Sequence, residues 1–247
     1  MDIIGFRTQK YGFNLEIEAA CQLKIVPYST IMKLPPLPAP AAGKREQRKA
    51  ERRAAIIEIA ARSFLEHGYD GTSMSAIAEE MGGSKGTLWS YFTSKEQLFE
   101  AFIDTSTSAL RAELTAMLDP TGHPRDTLEA FARRFLDRIT APDALRLYRL
   151  VIGESERFPQ LGRIFYERAP GTTEPLLADF ISHYMDTGAL RRDNANHAAR
   201  MIMSLCAGGL HMRALWRVAE VDAGDIAAEA VRIVDLFLRT YAPAASA

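Results

Sequence analysis

Apolar residues along this chain recur at intervals of three and four, and nowhere do they alternate with polar ones over a sustained stretch. The pattern predicts helices and no sheet. It becomes regular near Arg53. Ile56, Ala60 and Phe64, with Ile57 and Ala61 beside them, share one face of a first helix from about Lys44 to His67, and Gly68 supplies a left-handed stop. A short helix follows over Met74–Met81, opened by Thr72 or Ser73 as N-cap. Gly82-Gly83 breaks it, and Ser84 can cap a third helix over Lys85–Tyr91. Ser94, with Gln97 at capping-box spacing, opens a long fourth helix to about Leu118 that carries Phe99, Phe102 and Ile103 on one side.

Five or six more helices follow. One covers 125–140 with Leu128, Phe131, Phe135 and Ile139, and Pro142 suits the first position of the next. A short piece holds Leu161, Ile164 and Phe165. Pro175 falls in the first turn of another that carries Leu177, Phe180, Ile181 and Tyr184. Asp193 can cap 194–217 and Asp222 can cap 223–241. The expectation is an all-α chain of about nine or ten helices. It divides into an extension and linker (1–43, Pro/Ala-rich from 33), a first group of short helices with the start of the long one (44–98) and a larger helical part (99–247). Met1 and Met32 are equally admissible starts of synthesis.

The net charge is −1, so no overall field draws the protein onto nucleic acid or membrane. The charge is unevenly spread. KREQRKAERR (44–53) sets six basic residues against two acidic ones, whereas 96–247 holds 17 Lys/Arg and 21 Asp/Glu. Cys21 and Cys206 form no metal or redox spacing, and Cys206 sits in an apolar helical pattern. No apolar run is long enough for a membrane span, and MDIIGF does not open a secretory signal. A cytoplasmic protein is expected. The five histidines show no metal spacing, no cofactor motif is present, and no convergent acid, base or nucleophile marks an enzyme.

The stretch GGSKGTLWSYF (82–92) carries the chemistry. Its glycines suggest a phosphate-binding loop, but a P-loop needs Gly-Lys-Ser/Thr between a strand and a helix. Here the lysine precedes the glycine and helices flank both sides. A short helix, a tight glycine turn and a second short helix make a helix-turn-helix, whose second helix enters the major groove of DNA. Gly86 adds no bulk at the leading turn, and Thr87 offers a hydroxyl and a methyl to base edges. Lys85 can neutralise a phosphate. Trp89 and Tyr91 can turn polar ring atoms to the backbone, while Leu88 and Phe92 anchor the helix. The helix starts at Thr72-Ser73, Ser84 and Ser94-Lys95 can present groups to phosphates. A helical hairpin with a polar surface is the competing reading of the spacing alone. The basic 44–53 segment can add phosphate or minor-groove contacts, or be a solvated helix end.

Residues 68–99, GYDGTSMSAIAEEMGGSKGTLWSYFTSKEQLF, resemble the DNA-binding segment of TetR-family regulators, and AAIIEIAARSFLEHG before them matches that family's first helix. The resemblance covers 54–99 closely. It departs at Gly83, where the family usually has a β-branched residue, so a looser turn is expected, and at Trp89, where it usually has tyrosine. FYERAP (165–170) and LCAGGLHMRALW (205–216) are similar to the AefR-type branch. The resemblance implies a homodimer on double-stranded DNA with a palindromic operator, a repressor as the family's usual sign, and an unknown small-molecule effector.

Two apolar stripes are candidates for the dimer interface. One holds Ile202, Leu205, Gly209, Met212 and Trp216; the other holds Val231, Val234, Phe237 and Leu238. Packing within the chain competes with that reading. Candidate effector contacts are Phe102, Phe135, Arg146, Tyr148, Phe180, His183, Tyr184 and Met201, each with core packing as its alternative.

Overall fold

Side-chain caps and prolines set the helix starts. In the computed structural model, which describes residues 43–243, every regular element among those residues is helical. α1 spans Lys44–Gly71, with its axis broken at Gly68 (φ +77°). α2 (Met74–Glu80), α3 (Lys85–Tyr91) and α4 (Lys95–Met117) are capped by Ser73, Ser84 and Ser94, each hydroxyl accepting the amide three residues on at 3.1–3.2 Å. Proline starts α5 (Pro124–Thr140), α6 (Pro142–Glu154), α7 (Pro159–Arg168) and α8 (Pro170–Asp186). Asn194 caps α9 (Ala195–Gly208), α10 (Leu210–Leu215) follows, and Asp222 forms a capping box with Asp225 for α11 (Ala223–Thr240).

Three details differ from the sequence pattern. α8 begins at Pro170, whose fixed φ suits a helix start, and Pro175 lies inside the helix. The expected helix over 194–217 divides at Gly209, where α11 comes so close that a Cβ would stand 2.5 Å from Glu229 Oε1. Asn194, not Asp193, caps α9. The extension, the linker over 1–42 and Cys21 lie outside the described residues.

The helices enclose two main cores. The first joins Ile56, Phe64, Ile77, Leu88, Leu98, Phe99 and Ile103 to Leu147, Val151 and Leu161. Within it Phe64, Tyr69, Phe99 and Phe102 pack ring on ring at 5.3–6.1 Å. It therefore does not close at residue 98 but takes side chains from α6 and α7. The second core is built by α5, α8, α9 and α11 around Phe131, Leu136, Ile181, Ile202 and Phe237, with Leu110 and Leu114 of α4.

α4 thus serves both cores, through Leu98–Ile103 at one end and Leu110–Leu114 at the other. Its middle, DTSTS (104–108), belongs to neither. There Thr105, Ser106 and Thr107 donate back to the carbonyls of Ala101, Phe102 and Ile103 at 2.8–3.0 Å. Such back-bonding competes with the helix ladder and favours bending.

The corner between α1 and α2 is held from outside its own helices. The amides of Tyr69 and Asp70 donate to the two carboxylate oxygens of Glu154, at the end of α6, at 2.7 and 2.9 Å. Gly68 is required twice over: its φ is positive, and a Cβ there would sit 2.5 Å from Glu154 Oε1. Lys95 Nζ donates to the carbonyls of Tyr69 and Thr72 at 2.7 and 3.0 Å and lies 4.2 Å from the Tyr69 ring centre.

Glu154→Gln tests this corner. Glutamine keeps one acceptor and turns an NH₂ toward the other amide. Loss of a charge-assisted pair of this kind costs about 2 kcal/mol, a fall in Tm of roughly 4–8 °C for a chain of this size. Hydrogen exchange at the Tyr69 and Asp70 amides should accelerate at least about tenfold. Unchanged exchange at both amides would remove the clamp.

Candidate nucleic-acid interface and effector cavity

α3 stands on the surface with its apolar side inward. Leu88 is fully buried and Phe92 is 2 % exposed, so the two side chains four apart fix the helix to the first core. The leading turn is open: Ser84, Lys85 and Gly86 are exposed, and a Cβ on Gly86 would meet nothing nearer than Ser84 Oγ at 3.7 Å. Ser84 and Thr87 share a hydroxyl hydrogen bond of 3.0 Å, which holds Thr87 at the rim. Trp89 is 47 % exposed, whereas Tyr91 is half-buried against the core. A short helix with a low leading turn, a free lysine and an uncovered indole is shaped to approach a groove wall closely.

Two expected phosphate contacts have other roles. Thr72 is buried, its hydroxyl donating to Gly68 O at 2.7 Å and lying 3.1 Å from Ser63 Oγ. Its side chain is closed to an external ligand. Lys95 is half-buried and spends two of its three N–H groups on the corner carbonyls. Ser73 stays exposed but accepts the Ala76 amide as a cap.

The basic segment is the exposed first turns of α1: residues 44–55 have no buried member. It is tied to the turn by Arg52, which donates to Met81 O at 3.4 Å, and by Arg53, whose guanidinium lies 5.0 Å from the Phe92 ring centre. The space beside Gly83 is taken by the Met81 methyl and Arg52, 2.7 and 3.1 Å from where a Cβ would be. The missing side chain is thus replaced by its neighbours, and the turn is filled rather than loose.

A cavity of about 60 Å³ lies where α4, α5, α6, α7 and α8 meet. Of the expected contacts it brings together Phe135 and Tyr148, with Phe165 beside them. The others lie elsewhere. Phe102 is in the first core; Phe180 and Tyr184 are in the second, and Met201 packs against it. The Tyr184 hydroxyl donates to Pro120 O at 3.0 Å. Arg146 and His183 are exposed. Sequence reasoning missed Thr107, Arg111, Arg138, Thr172 and Thr173, all on the cavity wall. The hydroxyl-rich DTSTS interrupting an apolar stripe was a usable signal for the first of these.

Tyr148 packs edge-on against Phe165 and His211, with centroids 4.9 and 4.6 Å away. Burial raises its pKa, partly offset by Arg138, so it remains a protonated donor at neutral pH. His211 is buried with Nδ1 2.9 Å from Ile139 O, and burial lowers its pKa. Burial pushes the Cys206 thiol up to about 12, so it is an inert core group.

The two C-terminal stripes are split. Ile202, Val234 and Phe237 are fully buried in the chain's own core and cannot meet a second copy. Val231 is 39 % and Trp216 67 % exposed; Leu205, Gly209, Met212 and Leu238 are half-buried. Among the described residues no helix is long and apolar enough to cross a membrane.

Comparison with known proteins agrees with this architecture. Residues 56–102 match the sequence model of the tetR family of bacterial regulatory proteins, and residues 126–243 match that of the AefR-like transcriptional repressor C-terminal domain. The chain is 34% identical over 138 residues to the regulator RutR of Escherichia coli, covering 56% of each. The first curated relatives are matched over only 37–56% of their length. Solved structures are matched over nearly their full length. A TetR-family regulator of Mesorhizobium loti is 28% identical with a TM-score of 0.70, covering 79% of this chain and 98% of that one. The flavonoid-responsive regulator FrrA is 31% identical with a TM-score of 0.69, covering 79% and 100%. Both halves and the fold therefore agree: the chain belongs to the TetR family of transcriptional regulators.

Proposed function

We propose that the protein is a homodimeric repressor that binds a palindromic operator and leaves it when a small hydrophobic effector enters the cavity. The observation that carries this reading is the exposed, low-sided leading turn of α3 beside the cationic start of α1. Residues 44–98 would form the DNA-binding part and 99–247 the sensing and pairing part. A second copy would pack on the exposed flanks of α9 and α11, with Val231 on α11 and Trp216 at the end of α10. Two recognition helices spaced about 34 Å apart would then read successive major grooves on one face of the duplex. The similar chain FrrA is flavonoid-responsive by name, which supports a ligand-driven switch.

The lever is α4 together with α6. The cavity touches α4 at Ser106, Thr107, Leu110 and Arg111, in and next to the segment that back-bonds and belongs to neither core. It touches α6 at Ala144, Leu147 and Tyr148, and the far end of α6 holds the α1–α2 corner through Glu154. A cavity of 60 Å³ accommodates roughly four to six waters. A ring with a substituent, larger than this space, would press both helices apart and shift the reading heads. The effector acts only as far as it binds the displaced state better.

Selection of bound sequences from random duplex DNA tests the reading directly; a palindrome is expected, and absence of salt-sensitive binding to any duplex would sink it. Lys85→Ala should weaken binding to all duplexes and lower the slope of log affinity against log salt by about one. Lys95→Met should instead lower Tm and leave that slope unaltered, because its charge is spent inside the protein. Thr87→Ala should relax preference at one base position, by about 1 kcal/mol, which the same selection would display as a single degenerate column in each half-site.

A further inference from the structure

We infer that the cavity selects small aromatic compounds bearing one anionic oxygen, aryl carboxylates or ionised phenols, and rejects cations of equal size. This rests on the effector reading above. The walls supply an aromatic and aliphatic slot from Phe135, Phe165, Tyr148, Leu110, Ile139 and Leu147. A flat ring fits between such side chains and gains from edge and face contacts.

The polar groups on the wall are of two kinds, hydroxyls that keep only lone pairs and groups that carry N–H or O–H donors. The hydroxyls of Ser106, Thr107, Thr172 and Thr173 each donate to a backbone carbonyl, to Phe102, Ile103, Ala169 and Ala169 at 2.9–3.2 Å, so none brings a spare proton. The Tyr148 hydroxyl has no hydrogen-bond partner among the described residues. Neither Asp nor Glu lines the cavity, whereas Arg111 and Arg138 do. Arg138 is offset by Asp143 at 3.1 Å, which sits just behind the wall. Arg111 forms no ion pair among the described residues. Among the lining residues, then, Arg111 is a guanidinium with no carboxylate partner and Tyr148 a phenol with no acceptor. A cation there would meet hydroxyl lone pairs but no acid, and would lie beside two arginines. An anionic oxygen would be repaid by charge-assisted hydrogen bonds, with Arg111 the principal donor and Tyr148 the second.

The full-length chain titrated with benzoate, benzyl alcohol and benzylamine tests this, since the three share a ring and differ in charge. Calorimetry or ligand-observed NMR should rank benzoate about tenfold above benzyl alcohol, with benzylamine unbound up to roughly 10 mM. Arg111→Gln should bring benzoate and benzyl alcohol to within about twofold of each other. Tyr148→Phe, which keeps the ring and its packing, should weaken benzoate severalfold, and thermal melts of both variants check that the fold is kept. Benzylamine binding as well as benzoate, or an intact benzoate preference in both variants, would overturn the inference. A parallel anisotropy titration against a selected duplex separates it from the broader reading. Correct ranking with no change in duplex affinity defeats operator release by this ligand class but leaves the class standing, whereas no binding by any probe overturns the class and leaves the broader reading to the duplex selection.

Discussion

The architecture depends on how one non-helical corner has its backbone satisfied. Between α1 and α2 the chain turns through Gly68 and leaves amides and carbonyls that no helix ladder can use. A carboxylate takes the amides of Tyr69 and Asp70, and an ammonium takes the carbonyls of Tyr69 and Thr72. The two charges come from different places: Glu154 from the end of α6, Lys95 from the start of α4. The corner therefore forms only when both of those helices are in position. Its orientation is the orientation of α2 and α3 behind it. A helix pair of seven residues each has little means of holding itself in place. This cross-brace and the aromatic cluster of Phe64, Tyr69, Phe99 and Phe102 supply it. The Tyr69 hydroxyl is buried near Glu96 without closing a hydrogen bond; burial first, then that carboxylate, raises its pKa. Tyr69 therefore contributes as a ring, stacked among its neighbours and covered by Lys95.

The second constraint follows from the first. α4 and α6 are the two helices that hold the corner, and both pass the cavity on the way. α4 has rigid ends in two cores and a back-bonded middle. α6 puts Leu147 and Val151 into the first core, while Leu145 packs with Ala214 and Leu215. Packed cores resist gradual deformation, so displacement concentrates where packing is thin. Here that is the polar stretch 104–108, beside the cavity. Arg168 adds a strap across it, bonding Glu100 and Asp104 on α4, while its own carbonyl lies 3.2 Å from the Thr107 hydroxyl and shares that single proton with Ile103 O. A ligand that moves α7 or α8 therefore pulls on the same segment.

Much of this was legible in the chain itself, and the reasons for the failures are physical. Helix starts were readable because caps and prolines act within one turn: Ser73, Ser84, Ser94 and Asp222 behave as their local chemistry requires. The surface of α3 was readable because Leu88 and Phe92 can face only one way on so short a helix. The cavity was less so. Periodicity says which face of a helix is buried, but not whether it meets another side chain or a void, so Phe180 and Tyr184 looked equivalent to Phe135. The same ambiguity placed Ile202, Val234 and Phe237 in an interface when they pack within the chain. Thr72 and Lys95 lay at helix starts where phosphates bind; the Thr72 hydroxyl instead turns back four residues to the Gly68 carbonyl, and only the tertiary fold brings the Tyr69 and Thr72 carbonyls within reach of Lys95. The corner needs Glu154, some 85 residues from Tyr69, a separation no local pattern reports.

The charge distribution takes on meaning once the elements are placed. A chain of net charge −1 has no general attraction to a polyanion. Yet the exposed start of α1 carries a local excess of +4, and Arg52 and Arg53 tie it to the Met81 turn and to Phe92, the residue that closes α3. The body that follows is net acidic. At physiological salt, charges beyond about 8 Å are largely screened. A duplex near the reading helix would then feel the cationic helix end strongly and the distant acidic body weakly. With no net positive charge to attract it, a duplex depends on local clusters, and the cationic start of α1 lies beside α3. Gly83 fits this scheme, because the room left by its absent side chain is where Arg52 reaches in, fastening the cationic helix to the turn of the reading motif.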